Sequence, residues 1–277
     1  MKKIVIFLGL ICCSTLHAQD KSKDSTQTRW NMFTYDVGNM FKGVGYSYTR
    51  PLHWQGKQLA QFGAVVGGTG LVYLADDNTS RFIRNNKEGV PKFIRDYGEF
   101  YGSPENNYLA TSGVYIAGLV TKNEKLRRTG VLLISSATSA GFLQQVLKSF
   151  VGRARPIADL GKDTFDPFNS SRNFHSFPSG HAILAFTNAY AIGKQFKNPW
   201  LKAGIYTLGA IPGVSRVWDG QHWLSDMVFA FAISIATVES IDRYLDKKYD
   251  EKFNSQQKLV SWNLNFGPGQ MGVTINF

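Results

Sequence analysis

The chain has 277 residues, a formal net charge of +11, a hydrophobic fraction of 43% and two cysteines. Such a length fits one large domain with a sizeable core, and the composition excludes disordered, collagen-like and disulfide-rich chains. The mean hydropathy of −0.18 excludes a protein that lies mostly in lipid but allows contact with a membrane.

The first eighteen residues predict an export signal. Two lysines precede the apolar run 4–13, and Ala18 offers a small residue at a cleavage point. The run is too short for an ordinary transmembrane helix. Both cysteines lie within this segment, so we expect an exported mature chain with no disulfide and no thiol ligand.

The positive charge alone selects only a broad class of partner. A basic surface suits anionic substrates, phospholipid headgroups or lipopolysaccharide, and nucleic acid would fit equally well. The choice between these partners therefore rests on motifs rather than on charge.

Hydrophobic spacing predicts a short amphipathic helix over 30–41, which we expect to pack on the main bundle rather than to enter a membrane surface. Apolar segments separated by Gly, Pro, Asn and charged residues then predict six helices. They lie near 58–75, 107–121, 129–150, 182–196, 201–214 and 223–245. The pattern over 79–100 is compatible with a further amphipathic helix.

The tail after residue 260 changes character. Apolar residues alternate over 262–266 and 273–277, and a Gly-Pro-Gly turn separates the two runs, which predicts a β-hairpin. The predicted fold class is all-α: a core bundle of about six helices with the site at one end, plus a C-terminal β-hairpin. We divide the chain into a signal peptide (1–18), an N-terminal extension with an amphipathic segment (19–57), a helical domain (58–250) and a hairpin tail (251–277).

Three separated segments hold side chains suited to binding phosphate. In the first, Lys148 and Arg155 are seven residues apart, so two helical turns would place both cations on one face near a helix end. Pro156 would force the chain to leave that helix. Taken alone, the segment also fits a solvated basic helix end favoured by the helix dipole.

The second segment, Pro178-Ser179-Gly180-His181, opens the fourth of the six helices. Ser179 can cap the helix, Gly180 allows an anion to approach the backbone, and free N–H groups at a helix start bind phosphate oxygens. His181 is placed to donate a proton to a leaving group. Taken alone, the segment is more simply an ordinary helix cap with a neighbouring histidine.

The third segment runs from Ser215 to Asp226. Arg216 supplies a bidentate phosphate donor. His222 and Asp226 are four residues apart and would share a helix face, so the carboxylate can hold one imidazole nitrogen and leave the other free as a nucleophile. Such a pair on its own is more often structural.

The order of the helices is expected to bring the three segments together. Short connections imply antiparallel neighbours, so all three segments should reach one end of the bundle. Cations, helix N–H groups and two histidines around one point describe a phosphoryl-transfer site. The residues expected to converge are Lys148, Arg155, Ser179, Gly180, His181, Arg216 and His222, with Asp226 beside His222.

The segments resemble the three signatures of the type 2 phosphatidic acid phosphatase superfamily, which also contains bacterial acid phosphatases and vanadium haloperoxidases. The signatures are Lys-x6-Arg-Pro, Pro-Ser-Gly-His and Ser-Arg-x5-His-x3-Asp, and they are intact at 148–156, 178–181 and 215–226. The resemblance covers about 107–245 and leaves the N-terminal hundred residues and the hairpin outside.

The resemblance implies a phosphatase that uses no metal and no cofactor. The family residue matching His222 attacks phosphorus to form a phosphohistidine, the one matching Asp226 orients it, and the one matching His181 protonates the leaving oxygen. The other matching residues hold the phosphoryl oxygens: Lys148, Arg155, Ser179, Gly180 and Arg216. We interpret Arg153 and His175, which match no signature position, as substrate-loop or structural residues.

Many relatives in this family have six transmembrane helices. Here the apolar segments are short and interrupted by polar residues, although a span needs about 20 apolar residues. An exported N-terminus followed by three spans would also place Arg155 on the cytoplasmic side. The positive-inside rule instead places the opposite helix ends there, because lysines and arginines cluster at 122–128 and 194–202. We therefore favour a globular periplasmic bundle held at a membrane surface.

The predicted function is an exported phosphatase acting on phosphate mono- or pyrophosphate esters. The apolar loop 157–177 favours a lipid substrate such as phosphatidic acid, a polyprenyl pyrophosphate or lipid A, and we expect no nucleic-acid partner. The alternatives are a non-specific acid phosphatase acting on soluble esters, a vanadate-dependent haloperoxidase, and a noncatalytic envelope protein with an inactive site. The sequence leaves the oligomeric state open.

Overall fold

The computed structural model describes residues 28–254, 261–267 and 270–276, so the predicted signal peptide lies outside the described residues. Nine α-helices account for most of the described part. In chain order they are α1 (Arg29–Thr49), α2 (Lys57–Leu74), α3 (Asp76–Asn85), α4 (Lys92–Gly102), α5 (Pro104–Thr121), α6 (Glu124–Val151), α7 (Gly180–Gly193), α8 (Pro199–Trp218) and α9 (Leu224–Tyr249).

The six apolar segments form α2 and α5 to α9, which confirms the helical core predicted from the sequence. Two amphipathic segments differ from their predicted bounds. The first helix, α1, continues to Thr49, and the segment 79–100 is divided between α3 and α4. Pro91 explains the division, because it lacks an N–H and disfavours helical backbone in Val90.

The helices α6, α7 and α9 form the centre of the bundle, where two apolar clusters lie one beyond the other. One cluster includes Val131, Ile241 and Leu245, and the other includes Ala182 and Met227. The second cluster lies where α6 finishes and where α7 and α9 begin. We call this the site end, because the three sequence motifs lie there, and we call the opposite end the far end.

A buried polar network attaches α1 to the far end. Asp36 and Arg127 are both fully buried, and Nε of Arg127 lies 2.7 Å from Oδ2 of Asp36. The hydroxyls of Tyr249 and Tyr115 donate to the same carboxylate at 2.5 and 3.2 Å. The helix α1 therefore packs against α5, α6 and α9.

Among the described residues, two helices, α6 and α9, are long and apolar enough to cross a membrane by length and composition. The pair α2 and α3, bent by 61°, would make a third crossing if it counts as one span. Some of the polar residues that interrupt α6 face the protein interior, since Ser135, Ser139 and Gln144 are buried, whereas Thr138 and Gln145 are exposed. These segments are thus better suited to lipid than the sequence pattern predicted, and they fit a membrane-linked protein.

The surface of α2 points to the same conclusion. No side chain of this apolar helix is buried, and Leu71 and Leu74 are 72% and 69% exposed. An apolar helix of this kind is normally covered by protein or by lipid. The exposed side chains of α2 therefore fit contact with acyl chains.

Two strands, β1 (Ser261–Gly267) and β2 (Gln270–Asn276), pair antiparallel with Leu264 opposite Val273. The predicted hairpin falls on this segment, but its turn at 268 and 269 lies outside the described residues. The C-terminal hairpin as a closed unit of the fold therefore stays a prediction.

Candidate active site

The end of α6 carries the first motif. Gly152 ends the helix in left-handed backbone (φ 56°), and its N–H donates to the Lys148 carbonyl at 3.1 Å. A side chain at this position would overlap the Asp166 carbonyl, so the turn requires glycine. Arg155 consequently lies beyond the helix in extended backbone. The expectation that Lys148 and Arg155 share a helical face is therefore wrong.

Backbone hydrogen bonds fix the loop that follows α6. The N–H of Arg155 donates to the Asn173 carbonyl at 2.7 Å, and the N–H of Ser176 donates to the Arg153 carbonyl at 3.0 Å. These bonds fold the loop 152–178 back on itself. The start of α7 is thereby brought next to the first motif.

The second motif starts α7 as the sequence predicts. The Oγ of Ser179 accepts from the N–H of Ala182 at 3.4 Å, and Gly180 is the first helical residue. The N–H groups of Gly180 and His181 lie in the first turn, where no carbonyl of the helix can accept them. The start of α7 therefore offers two donors to an anion.

His222 precedes α9 instead of lying in it, which corrects the predicted helical pair with Asp226. Nδ1 of His222 lies 3.7 Å from Oδ2 of Asp226, beyond hydrogen-bond distance, and it donates to the Ser176 carbonyl at 2.5 Å. The reason is that α9 begins only at Leu224. Since Nδ1 is occupied, Nε2 is the nitrogen with a free lone pair.

Asp226 is fully buried and accepts three hydrogen bonds. Its Oδ1 accepts from Nη1 of Arg153 at 2.7 Å. Its Oδ2 accepts from the Ser176 hydroxyl at 2.5 Å and from the N–H of Trp223 at 2.9 Å. The carboxylate beside His222 is therefore held in one orientation.

The two motif arginines, Arg155 and Arg216, lie near one another, and carboxylates neutralise little of their positive charge. Nε of Arg155 is buried and has no hydrogen-bond partner within the described residues, while Nη1 donates to Gln221. Nη1 of Arg216 lies 3.4 Å from Oδ2 of Asp219. A buried guanidinium nitrogen without a partner is costly unless an anion binds it. The arrangement fits an anion-binding pocket.

Both histidines are held neutral near pH 7. Burial, followed by the charge of Arg216 and of the other motif cations, lowers the pKa of His181 to about 4. Burial also lowers the pKa of His222 to about 4, although Asp226 opposes the shift. The cations that act on His181 near pH 7 are Arg216, Lys148 and Arg155. The structure thus brings the three motifs to one point at the site end.

A comparison with protein families identifies this region. Residues 129–249 match the family described as the PAP2 superfamily. The match spans α6 to α9 and contains every residue of the three motifs. The part of the chain that carries the three motifs is therefore similar to the PAP2 superfamily. The resemblance inferred from the motifs is therefore confirmed.

Curated relatives resemble the PAP2 region. A lipid A 1-phosphatase of Rhizobium etli is 33% identical over 108 residues, which are 37% of this chain and 44% of that protein. Phosphatidylglycerophosphatase B of Bacillus subtilis is 28% identical over 134 residues, which are 44% of this chain and 59% of that protein. The crystal structure of Aquifex aeolicus LpxE matches with 22% identity and a TM-score of 0.45, over 60% of this chain and 94% of that one. The chain spans less than half the length of the R. etli enzyme.

Several side chains at the site lie outside the PAP2 signatures. Arg153, interpreted from sequence as a loop or structural residue, bonds directly to Asp226. Gly102 at the end of α4 lies against His181, and a Cβ there would be 2.5 Å from Cδ2 of that ring. No sequence signal identifies Gly102, since α4 approaches His181 only through tertiary packing.

Gln144 is a second group that the motifs miss. It is 5% exposed, its Nε2 has no partner among the described residues, and that atom would be 3.4 Å from a Cβ at Gly180. The signal for it was available, because Gln144 precedes Lys148 by one helical turn. By contrast, the ring of His175 contacts the Asn169 carbonyl at 3.0 Å, within its own loop. Within the described residues, no three His, Cys, Asp or Glu side chains are grouped as metal ligands.

Proposed function

We propose that this chain is a phosphatase that hydrolyses phosphate esters of lipids through a phosphohistidine on His222. The observation that carries the proposal is the proximity of two neutral histidines to the motif cations at the start of α7. Fixed cations stabilise the charge of a phosphoryl-transfer transition state, and the protein otherwise has mainly to position the reactants. The activities named for the two curated relatives support the same class.

In the first half-reaction, Nε2 of His222 attacks phosphorus. A phosphorus–nitrogen bond forms, the phosphorus–oxygen bond to the lipid breaks, and the leaving oxygen takes a proton from His181. The imidazole of His222 becomes cationic, and Asp226 stabilises that charge while the Ser176 carbonyl keeps the proton on Nδ1. A bound phosphate dianion offsets the surrounding cations, so the pKa of His181 rises on binding and the ring can carry the required proton.

In the second half-reaction, water replaces the lipid oxygen. His181, now neutral, accepts a proton from water as the water oxygen attacks phosphorus. The phosphorus–nitrogen bond breaks, inorganic phosphate leaves, and the lone pair returns to Nε2 of His222. His181 is protonated while phosphate is bound, and it loses this proton to solvent when phosphate leaves and its pKa falls again.

The remaining motif residues hold the phosphoryl oxygens in this proposal. Nε of Arg155 gains the partner that it lacks among the described residues, and the N–H groups at the start of α7 donate along the helix axis. Five groups serve in this way: Lys148, Arg155, Arg216, the Ser179 side chain and the Gly180 amide. No step in the scheme requires a metal.

A lipid is the favoured substrate because the rim of the site is apolar and exposed. Ile157 and Leu160 are each 49% exposed, and Phe165 and Phe168 are 45% and 67% exposed. Four apolar side chains in one polar loop indicate contact with lipid rather than with water. Together with the exposed α2, they support a site that works at the surface of an envelope membrane after export of the chain.

The proposal is tested by phosphate release from the purified full chain in detergent with a metal chelator present. The substrates are phosphatidic acid, a polyprenyl pyrophosphate, lipid A and p-nitrophenyl phosphate. His222→Ala is compared with His53→Ala, since His53 is exposed on the turn after α1 and is a matched histidine control. We expect chelator-resistant release from at least one lipid that His222→Ala abolishes and His53→Ala retains.

Each other outcome contradicts part of the proposal. Release from p-nitrophenyl phosphate alone would contradict the lipid substrate and favour a soluble ester. Release by His222→Ala would contradict the phosphohistidine. No release from any ester by folded protein would contradict the phosphatase, and bromide oxidation with vanadate and peroxide would then identify a haloperoxidase.

A further inference from the structure

A buried arginine beside the site is shared between two aspartates. Nη1 of Arg153 donates to Asp226 at 2.7 Å, and Nη2 donates to Asp76 at 2.8 Å. Arg153 is 2% exposed and both aspartates are fully buried. A guanidinium that binds two carboxylates through separate nitrogens is fixed in orientation as well as in position. We call Arg153 and Asp76 the clamp.

The clamp also holds the first turn of α9. Oδ1 of Asp76 accepts from the N–H of Ser225 at 3.0 Å, and Oδ2 accepts from the Ser225 hydroxyl at 2.5 Å. The guanidinium of Arg153 lies 4.6 Å from the ring centre of Tyr73, which adds a cation–π contact. Asp76 opens α3 directly after the bend from α2. The clamp therefore connects that bend to the turn that carries Asp226.

We propose that the clamp positions His222 for attack on phosphorus, an inference that rests on the proposed function. Arg153 fixes Asp226, and Asp226 accepts from the Ser176 hydroxyl. The carbonyl of Ser176 in turn accepts from Nδ1 of His222. Arg153 and Asp76 do not contact the phosphoryl group in the proposed scheme, so both are positioning residues.

The geometry of Asp226 explains why the clamp matters for His222. Arg153 occupies Oδ1, which leaves Oδ2 as the oxygen that faces the imidazole at 3.7 Å. Without the guanidinium, the carboxylate can rotate and exchange its two oxygens. The Ser176 hydroxyl would lose its fixed acceptor, and the carbonyl that selects the Nδ1–H form of His222 would move with it.

The clamp is tested with three variants and a matched control from the far end. Arg153→Gln removes the charge, Arg153→Lys keeps the charge but loses the fork, and Asp76→Asn keeps the shape of the second partner. Asp36→Asn is the control, because Asp36 belongs to an equally buried arginine–aspartate pair away from the site.

We expect the clamp variants to change kcat rather than KM. Arg153→Gln lowers kcat for the lipid substrate about 10- to 100-fold, Asp76→Asn lowers it less, and Arg153→Lys recovers part of the loss. KM stays within about twofold because the groups proposed to hold the phosphoryl oxygens are unchanged. Asp36→Asn lowers the unfolding temperature and keeps kcat.

A second readout follows the tautomer of His222 by nitrogen NMR on histidine-labelled protein, with the signal assigned from His222→Gln. We expect the Nδ1–H form in the wild type and in Asp36→Asn, and a mixture of both forms in Asp76→Asn and Arg153→Gln. If Arg153→Gln does not fold, Asp76→Asn provides both measurements.

The outcomes separate the clamp from the proposed function. A wild-type chain that releases no phosphate contradicts the proposed function, and the tautomer shift still tests the clamp. A folded Asp76→Asn with wild-type kcat and an unchanged tautomer overturns the clamp. An equal loss of kcat in Asp36→Asn also overturns it, because the effect would then be general destabilisation.

Discussion

The two ends of the bundle each bury an arginine against an aspartate, but they use the pair differently. At the far end, the Asp36 carboxylate accepts from Tyr249 and Tyr115 and pairs with Arg127. At the site end, Asp226 is equally well bonded, but Nε of the nearby Arg155 has no partner among the described residues. The far end thus satisfies its carboxylate internally, whereas the site end keeps a donor for a ligand.

The difference separates stability from function along one bundle. Breaking a buried ion pair is strongly destabilising, because it leaves an uncompensated charge. A buried donor without a partner also costs stability, and proteins retain such groups where a ligand supplies the partner. We therefore expect substitutions at the far end to change the stability of the fold and substitutions at the site end to change its chemistry.

The largest contrast is expected from one substitution at each end. His222→Ala removes the proposed nucleophile and should lower phosphate release by at least about 10⁴-fold, with little change in the unfolding temperature. Asp36→Asn removes a carboxylate from the buried Arg127 and should cost about 3–5 kcal/mol of stability while kcat is retained. Phosphate release and thermal unfolding in the same detergent check both effects. Loss of activity in Asp36→Asn below its unfolding temperature would contradict this separation of stability at the far end from chemistry at the site end.

The site end could be predicted from the sequence because its chemistry is local. Ser179, Gly180 and His181 are consecutive, and their helix start is recognisable without any tertiary contact. The predictions that were wrong there concerned the backbone conformation. The left-handed turn at Gly152 takes Arg155 off the helix, and the late start of α9 takes His222 away from Asp226.

The far end and the clamp could not be predicted because their partners are distant in the chain. Asp36 and Tyr249 are 213 residues apart, and Asp76 and Arg153 are 77 apart. In the sequence, each of these four residues is an isolated polar residue, and only tertiary packing brings the partners together. The inward-facing polar residues of α6 could not be recognised for the same reason, since only packing shows that Ser135, Ser139 and Gln144 are buried.

A smaller loss should follow from adding one methyl group at the site end. Gly102→Ala places a Cβ 2.5 Å from Cδ2 of His181, so the ring must move. We expect kcat to fall on the order of 10²-fold, since a displacement of about 1 Å in a catalytic group has that effect. Gly113→Ala in α5 is the matched control, because nothing lies within 4 Å of its Cβ. Kinetic measurements on the lipid substrate compare Gly102→Ala with Gly113→Ala. Equal activities would show that the position of the His181 ring does not depend on the space left by Gly102.

The lowered histidine pKa values predict acid sensitivity that originates at the site end. The pKa of His181 and of His222 is about 4 in the folded chain, against an unfolded value of about 6.5. Protonation therefore favours the unfolded chain, and stability should fall as the pH drops from about 6.5 to about 4. The loss is on the order of 3 kcal/mol per histidine and is complete below about pH 4.

Thermal unfolding at several pH values checks this dependence. His222→Gln should flatten the slope between pH 7 and pH 4, whereas His53→Gln, at an exposed position, should leave it unchanged. A His222→Gln protein with the full wild-type slope would contradict the assignment of the acid sensitivity to this buried ring.

The smallest effect is expected from a cation at the rim. Arg172 is exposed, and its charge contributes, after burial and Arg216, to lowering the pKa of Arg155. It therefore faces the same pocket and should attract the anionic headgroup without touching the reacting atoms. Arg172→Ala should raise KM about fivefold and leave kcat unchanged, since an exposed charge contributes about 1 kcal/mol at most.

Salt distinguishes this role from a direct contact with the phosphoryl group. Exposed charges are screened within about 8 Å at physiological ionic strength and more strongly at higher salt. The KM difference between the wild type and Arg172→Ala should therefore disappear at high salt, and Arg243→Ala, which removes an exposed arginine near the far end, should show no difference at any salt. A KM effect that persists at high salt would place Arg172 among the groups that hold the phosphate, and the pocket would then use one more cation than the signatures contain.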